Sequence, residues 1–165
     1  HHRRRRPPTW EVIEAPYDIE AVFERYNGQR DLILLDCVTL WLSNLLLKAW
    51  DEFAAKADGA DPVATRQTFA AGEMEAAVLT RVQNLATLAA ASEAVAILVT
   101  NEVGLGVVPD TPLGRIYRDL SGKANQVLGS AADKAYLVVA GYPLDIKKAA
   151  QFVLAELGIA ENSMR

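Results

Sequence analysis

The sequence predicts an α/β fold with a mostly parallel sheet flanked by helices. Three short apolar runs, at residues 32–35, 94–100 and 134–140, have the length and composition of strands buried in a parallel sheet. Stretches with apolar residues at helical spacing separate these runs. Strand and helix therefore alternate along the chain, as they do in α/β domains. We expect the three runs to be neighbouring core strands, with helices on both faces of the sheet.

Composition predicts a single domain. The chain has 165 residues, of which 51% are hydrophobic, so residues 1–165 are sufficient for one domain with its own core. The apolar runs are too interrupted for a membrane span, and no hydrophobic segment of the signal-peptide kind opens the sequence. The single cysteine, Cys37, cannot form an internal disulfide, which agrees with a reducing compartment. We expect a cytoplasmic protein.

The charge is unevenly distributed. The net charge is −4 even though Arg3 to Arg6 contribute four positive charges, so the rest of the chain is more acidic than the total suggests. An acidic body argues against a general nucleic-acid surface. A local arginine cluster instead suits a small polyphosphate ligand, because guanidinium groups form multidentate hydrogen bonds with phosphate.

The first part of the chain predicts a short strand at residues 10–13 and then a helix. Asp18 is expected to cap that helix, and Asn27-Gly28 is expected to end it, because Asp favours helix N-termini and Gly favours the position after the last turn. After the run at 32–35, the apolar residues recur at helical spacing. The next helix is therefore expected to begin just past Asp36.

Three further helices are expected. Residues 51–65 are rich in Ala, Asp and Gly and predict a connection, whereas residues 65–92 carry an apolar stripe that indicates core packing. Thr111-Pro112 has the composition of a helix start, since proline fits the first helical turn. Residues 144–157 are amphipathic and predict a C-terminal helix.

Asp36 is the first candidate functional residue. It stands at the carboxyl end of a predicted central strand, where open α/β sheets bind their ligands. An acid at that position is typical of the residue that holds a nucleotide-bound Mg²⁺. The alternative is structural, namely that Asp36 only caps the following helix.

Polar residues also follow the second predicted strand. Asn101 and Glu102 come directly after it, and a loop with Gly104 and Gly106 continues at the same edge of the sheet. The two glycines are only a weak sign of phosphate binding, because their spacing matches neither the Walker A loop nor the dinucleotide-binding fingerprint. With Arg115 on the next helix, Asn101 and Glu102 are possible substrate or phosphate contacts.

The beginning of the sequence allows a simple structural interpretation. His1 and His2 precede the arginine cluster, and Pro7 and Pro8 follow it. On pattern alone, this stretch is explained as a solvated basic tail, with the histidines as a remnant of a purification tag.

Several spaced motifs, in one order, nevertheless resemble a known family. They are His2-Arg3-x-x-Arg6-Pro7 with Trp10 and Glu14, Leu34-Leu-Asp36-Cys-Val-Thr-Leu-Trp-Leu-Ser-Asn44-Leu-Leu, Val99-Thr-Asn101-Glu102-Val-Gly104-Leu-Gly-Val-Val-Pro109 with Leu113-Gly-Arg115, and Asn125. The chain thereby resembles the bifunctional adenosylcobinamide kinase / adenosylcobinamide-phosphate guanylyltransferase family of cobalamin synthesis. The resemblance runs from His2 to about Gly141.

The resemblance implies two reactions and a set of site residues. It implies transfer of the γ-phosphoryl group of ATP or GTP to adenosylcobinamide, and then transfer of GMP from GTP to the product. His2 matches the histidine that becomes guanylylated, which displaces the tag interpretation, and Asp36 is the expected Mg²⁺ ligand. The positions that match GTP contacts are Arg3, Arg4, Arg5, Arg6, Glu14 and Asp36.

The resemblance also implies a P-loop NTPase fold of the RecA-like type and a homotrimer. The family begins with a strand and a Walker A loop of the Gly-x-x-x-x-Gly-Lys-Ser kind, and this motif is absent from the 165 residues. We therefore expect a segment that carries it to precede His1, and either an exposed apolar groove or further residues before His1 where the first βα unit would pack. Two alternatives stay open, an inactive nucleotide-binding or regulatory domain and a P-loop kinase of another small substrate.

Overall fold

The computed structural model describes residues 7–56 and 69–159. The predicted guanylylation and arginine residues, His2 and Arg3–Arg6, lie outside this part, as does most of the predicted connection at 51–65. Within it, the elements are α1 (Ile19–Tyr26), β1 (Leu32–Asp36), α2 (Val38–Lys56), α3 (Phe69–Ala90), β2 (Val95–Val99), a 3-10 turn (Val103–Leu105), α4 (Pro112–Ala131), β3 (Tyr136–Val139), β4 (Tyr142–Asp145) and α5 (Ile146–Leu157). No helix of the described part has the length and apolar character to span a membrane.

Strands β1 and β2 form a parallel pair. Their register runs from Leu32 opposite Val95 to Asp36 opposite Val99. The predicted parallel pairing of the first two apolar runs is confirmed. Because parallel strands end at the same edge, Asp36 and the residues that follow Val99 are brought to one side of the molecule.

The core lies between this strand pair and the helices. One face of the pair, made of Ile33, Leu35, Ala96 and Leu98, packs against the buried helical residues. Those residues come from four helices: Ile19 and Phe23 of α1, Val38, Trp41, Leu42, Leu45 and Leu46 of α2, Val78, Val82, Leu85 and Ala86 of α3, and Leu120, Ala124 and Leu128 of α4. The apolar stripe predicted for residues 65–92 is thus a core-facing stripe.

The prediction of strands buried on both faces is wrong for the described residues. Side chains alternate in exposure along β1 and β2, and the outer ones are exposed. This outer face consists of Leu32, Leu34, Val95, Ile97 and Val99. Helices α1 to α4 all supply residues to the one core cluster, so the helices cover the inner face. One of the two alternatives expected from the resemblance was an exposed apolar groove, and the structure shows an exposed apolar face here.

The prediction of a third neighbouring parallel strand is also wrong. β3 pairs antiparallel with β4, in a sheet separate from β1 and β2. The reason lies in the turn, where Ala140 and Gly141 have φ angles of 50° and 85°. Two successive residues with positive φ form the tight hairpin turn that matches strand twist. The apolar run at 134–140 therefore folds back on its own continuation.

Three local predictions need correction. Residues 10–13 form no strand, and the C-terminal helix begins at Ile146 because residues 144 and 145 belong to β4. Asp145 caps this helix, with its carboxylate accepting a hydrogen bond from the backbone N–H of Lys148 at 3.0 Å. Asp18 does precede α1, but its side chain makes no capping hydrogen bond.

Two leucines of α2 provide a matched test of the core. Leu42 is 0% exposed, whereas Leu40 is 61% exposed. We expect Leu42→Ala to lower the free energy of unfolding by about 2 to 5 kcal/mol, because it removes buried methyl groups and leaves a cavity. Leu40→Ala should change it by less than about 0.5 kcal/mol. Urea denaturation of both variants checks this, and equal losses would contradict the assigned core.

Candidate functional site

The carboxyl edge of β1 and β2 carries the candidate site. Asp36 is the last residue of β1 and is exposed, and α2 begins two residues later at Val38. The first helical hydrogen bond of α2 runs from the Trp41 N–H to the carbonyl of Cys37, so Cys37 occupies the N-cap position. Within the described residues, no side chain or helix amide bonds to the Asp36 carboxylate. The helix-cap alternative is therefore not supported, and the carboxylate is available to a ligand.

Thr39 joins the ends of the two strands. Its side chain is buried, and its hydroxyl oxygen accepts a hydrogen bond from Asn101 Nδ2 at 2.8 Å. The Thr39 hydroxyl also lies 3.1 Å from Cys37 Sγ, and the Thr39 carbonyl accepts from the Tyr117 hydroxyl at 2.9 Å. Burial raises the pKa of Tyr117, which keeps its hydroxyl a donor. Two strand ends and two helices are thus held at one point.

Asn125 of α4 holds the residues that follow β2. Its Nδ2 group donates to the Asn101 carbonyl at 3.1 Å and to Glu102 Oε1 at 2.9 Å, while its Oδ1 accepts from the Thr100 hydroxyl at 2.7 Å. One amide group therefore contacts three consecutive residues. Two of the three predicted contacts after β2, Asn101 and Glu102, have their positions determined by this side chain.

The loop from Gly106 to Thr111 is attached to the start of α4. Arg115 Nη1 donates to the carbonyls of Pro109 and Asp110, at 3.0 and 2.9 Å. Thr111 caps α4, since its hydroxyl accepts from the Gly114 N–H at 3.1 Å. The predicted helix start at Thr111-Pro112 is confirmed. Arg115, predicted as a substrate contact, uses one terminal nitrogen to hold the loop backbone.

The segment that carries Glu14 runs beside α2. Trp41 Nε1 donates to the carbonyl of Tyr17 at 2.9 Å, and Asn44 Nδ2 donates to the carbonyl of Pro16 at 3.1 Å. Asn44 lies six residues beyond the first residue of α2, which corresponds to about 9 Å along a helix. Glu14 is exposed and has an interaction partner. The segment is thus docked on the helix that starts at the candidate site.

Glu11 fixes the other end of this segment. Its carboxylate accepts hydrogen bonds from the Tyr26 hydroxyl at 2.7 Å and from Arg30 Nη2 at 2.6 Å. The hydrogen bond from Tyr26, followed by that from Arg30, lowers the pKa of Glu11. The same bond to Glu11 raises the pKa of Tyr26. The hydrogen bonds from Tyr26 and Arg30 therefore hold this end of the segment while Glu11 is ionised.

The structure brings some predicted site residues together and leaves others apart. Asp36, Asn101 and Glu102 lie at one edge of the parallel pair, as predicted, and Arg115 lies near the start of α4, where it bonds to the adjoining loop. Glu14 lies on a different segment, which α2 connects to this edge. Sequence reasoning missed Thr39 and Asn125 as site residues, although both are polar positions in helices that begin near a strand end. Both also belong to the motifs that carry the family resemblance, and this membership is the signal that could have found them.

A magnesium ion fits the donor set at Asp36. Mg²⁺ is usually held by one or two carboxylates together with substrate phosphates and water, and an exposed carboxylate without partners among the described residues suits this role. In residues 7–56 and 69–159, no group of three or more His, Cys, Asp or Glu side chains could hold a metal by itself.

Fold and site together define an α/β protein with a candidate nucleotide site at the carboxyl edge of a parallel strand pair. Comparison with known families gives the particular group. The family model described as cobinamide kinase / cobinamide phosphate guanyltransferase matches residues 1–146. The chain belongs to this family, and both of the activities in its description are transferase activities.

Curated relatives agree with this assignment. The bifunctional adenosylcobalamin biosynthesis protein CobU of Escherichia coli K12 is 34% identical over 147 residues, and that of Salmonella typhimurium LT2 is 37% identical over the same length. Each alignment covers 89% of this chain and 75% of the relative. The bifunctional protein CobP of Pseudomonas aeruginosa is 32% identical over 146 residues, which cover 88% of this chain and 70% of CobP.

Gly114 offers a test of how the loop is attached to α4. A Cβ atom at Gly114 would lie 2.8 Å from Pro109 Cβ and 2.9 Å from the Thr111 hydroxyl, whereas one at Gly104 would meet nothing within 4 Å. We expect Gly114→Ala to lower the free energy of unfolding by about 1 to 3 kcal/mol, because the rigid proline must move. Gly104→Ala is the control, with a change of less than about 0.5 kcal/mol. Chemical denaturation measures both, and equal effects would contradict the close approach.

Proposed function

We propose that the protein phosphorylates adenosylcobinamide with ATP or GTP and then transfers GMP from GTP to the product, which gives adenosylcobinamide-GDP. The observation that carries the proposal is the family match over residues 1–146, since the family description contains both activities. The relatives, named bifunctional adenosylcobalamin biosynthesis proteins, support the same assignment. The exposed carboxylate of Asp36 at the strand edge supports a nucleotide site.

In this proposal, His2 is the nucleophile of the GMP transfer. A neutral imidazole nitrogen attacks the α-phosphorus of GTP, a P–N bond forms, and the bond to the β-phosphate oxygen breaks as pyrophosphate leaves. A phosphate oxygen of the cobinamide phosphate then attacks the same phosphorus, and the P–N bond breaks to release the imidazole. The family resemblance at His2-Arg3 and Arg6-Pro7 supports this assignment.

The arginines and Glu14 complete the nucleotide contacts that we propose. Guanidinium groups at Arg3, Arg4, Arg5 and Arg6 would form charge-assisted hydrogen bonds with the phosphates and offset the negative charge that grows during transfer. Glu14 would accept hydrogen bonds from the sugar or base of the nucleotide. The docking of its segment on α2 by Trp41 supports a fixed place for it near the site.

Asp36 would hold Mg²⁺ together with the nucleotide phosphates. When bound, the ion would neutralise phosphate charge and favour the in-line arrangement of phosphoryl transfer. Asp36 contributes a carboxylate at the end of β1, next to the junction that Thr39 holds. Its exposure and its lack of described protein partners support this role.

The finer architecture is also part of the proposal. We propose one nucleotide-binding domain over residues 1–165 with a P-loop NTPase fold of the RecA-like type, and the parallel pair β1–β2 supports this. A homotrimer and a cytoplasmic location stay predictions that rest on the resemblance and on composition.

The nucleophile can be tested by intact mass. On incubation with GTP and Mg²⁺, the protein should gain the mass of one GMP, and the adduct should be labile in acid and stable in base, as a phosphoramidate is. His2→Ala should abolish the adduct and the guanylyl transfer. It should spare much of the kinase step, which depends on positioning and electrostatics rather than on a protein nucleophile.

His1→Ala is the matched control for this experiment. It changes the neighbouring histidine, so it should leave the adduct in place. Peptide mapping locates the label, and a label on His1, or on a lysine such as Lys123, would show that the nucleophile is wrongly assigned.

The metal role of Asp36 can be tested by calorimetry. Asp36→Asn should weaken nucleotide binding in the presence of Mg²⁺ by about tenfold or more, since interactions with charged groups contribute about 1.5 to 3 kcal/mol. The stability should change little because the side chain is exposed. Asp31→Asn, an exposed aspartate just before the amino end of β1, is the control and should bind normally. Unchanged binding by Asp36→Asn would return Asp36 to a structural role.

A further inference from the structure

Both polar atoms of the Asn125 amide bond to the three residues that follow β2. Its Oδ1 accepts from Thr100, and its Nδ2 donates to the Asn101 carbonyl and to Glu102 Oε1, all within 3.1 Å. An amide side chain offers two donors and an acceptor with two lone pairs, so these three bonds also fix its own orientation. The contacts connect α4 to residues 23 to 25 positions earlier in the chain.

Glu102 is left with one oxygen for a ligand. The carboxylate is exposed at the carboxyl edge of β1–β2, and Asn125 bonds to Oε1. In the part of the chain that the structure describes, no bond to Oε2 occurs. A carboxylate repels phosphate groups, so the group that it suits is a hydrogen-bond donor. In the proposed kinase step, the donor at the site is the hydroxyl group of the cobinamide substrate.

We propose that Asn125 is a positioning residue for the proposed kinase step, which holds Glu102 so that its free oxygen accepts a hydrogen bond from the substrate hydroxyl. The inference rests on the proposed function. Asn125 acts through Glu102 and does not itself touch the substrate. The fixed geometry matters because a displacement of about 1 Å of a positioning group can slow a reaction by about 100-fold.

The first part of the test compares Asn125→Ala with Gln126→Ala. Gln126 is the exposed neighbouring amide on α4 and serves as the control. Initial rates of the kinase step are measured with ATP, at varied concentrations of adenosylcobinamide and of nucleotide. Asn125→Ala should lower kcat/KM for adenosylcobinamide by about 10- to 100-fold and change the KM for ATP by less than about twofold. If Asn125 had a purely structural role, its loss would impair the kinetic parameters for adenosylcobinamide and for ATP to the same extent.

The second part uses Asn125→Asp, which keeps the shape of the side chain and its contact with Thr100. The introduced carboxylate would lie about 2.9 Å from Glu102 Oε1, so the two groups repel unless they share a proton. The loss of activity relative to wild type should therefore be largest at alkaline pH and should diminish as the pH falls. Asn125→Ala should show a constant ratio to wild type over the same range.

Other titratable groups at this edge do not confuse the comparison. Those that the contacts described above place here are Asp36, Cys37, Tyr117 and Arg115, the last of which holds the loop before α4. All four are present in wild type and in every variant, so the difference between the pH profiles of Asn125→Asp and Asn125→Ala isolates the effect of the introduced carboxylate.

The outcomes separate the two proposals. If wild type phosphorylates adenosylcobinamide but both Asn125 variants match Gln126→Ala, only the positioning role is overturned. Equal effects on both substrates, or a ratio for Asn125→Asp that does not vary with pH, also overturn it. If wild type does not phosphorylate adenosylcobinamide, the proposed function fails and the positioning role fails with it. Should Asn125→Ala not fold, the pH profile of the isosteric Asn125→Asp decides the question.

Discussion

The buried hydroxyl group of Thr39 is the constraint on which the rest of the edge depends. A hydroxyl removed from water must find hydrogen-bond partners inside the protein, because leaving it unpaired costs about 1 to 3 kcal/mol. The Thr39 hydroxyl accepts a hydrogen bond from Asn101, which follows the neighbouring strand β2. The backbone carbonyl of Thr39 accepts a hydrogen bond from the hydroxyl of Tyr117. These bonds form only when β1, β2 and α4 are correctly aligned. The packing of the helices thereby sets the geometry of the candidate site.

The sequence predicted the parts of the fold that depend on local pattern. Apolar runs located β1 and β2, and Thr111-Pro112 located the start of α4. The sequence-based prediction failed where the arrangement of a strand depends on which other strand it pairs with. β3 has the composition of a central strand but forms a hairpin with β4, whose Pro143 pairs opposite Val138. Proline in a strand is confined largely to sheet edges, and Pro143 was a signal against a purely parallel arrangement.

The candidate site was predictable to a similar extent. Asp36, Asn101 and Glu102 stand directly after apolar runs, so the rule that ligands bind at the carboxyl ends of strands was enough to find them. Thr39 and Asn125 could not be found in this way. Each occupies a polar position in a helix, where most such positions simply face solvent. Only tertiary packing shows that both face the strand ends.

The positions of Trp10 and Trp41 make the protein suitable for fluorescence measurements. Trp10 is 51% exposed and lies just after the arginine cluster, whereas Trp41 is 2% exposed and bonds to the carbonyl of Tyr17. An exposed indole emits at longer wavelength than a buried one, so the two should contribute distinct parts of the spectrum once Trp50, the third tryptophan of the chain, is replaced by Phe. The emission of Trp10 would report changes near the beginning of the chain, and that of Trp41 would report the detachment of residues 7–18 from α2. The chain therefore carries its own optical labels on both sides of Glu14.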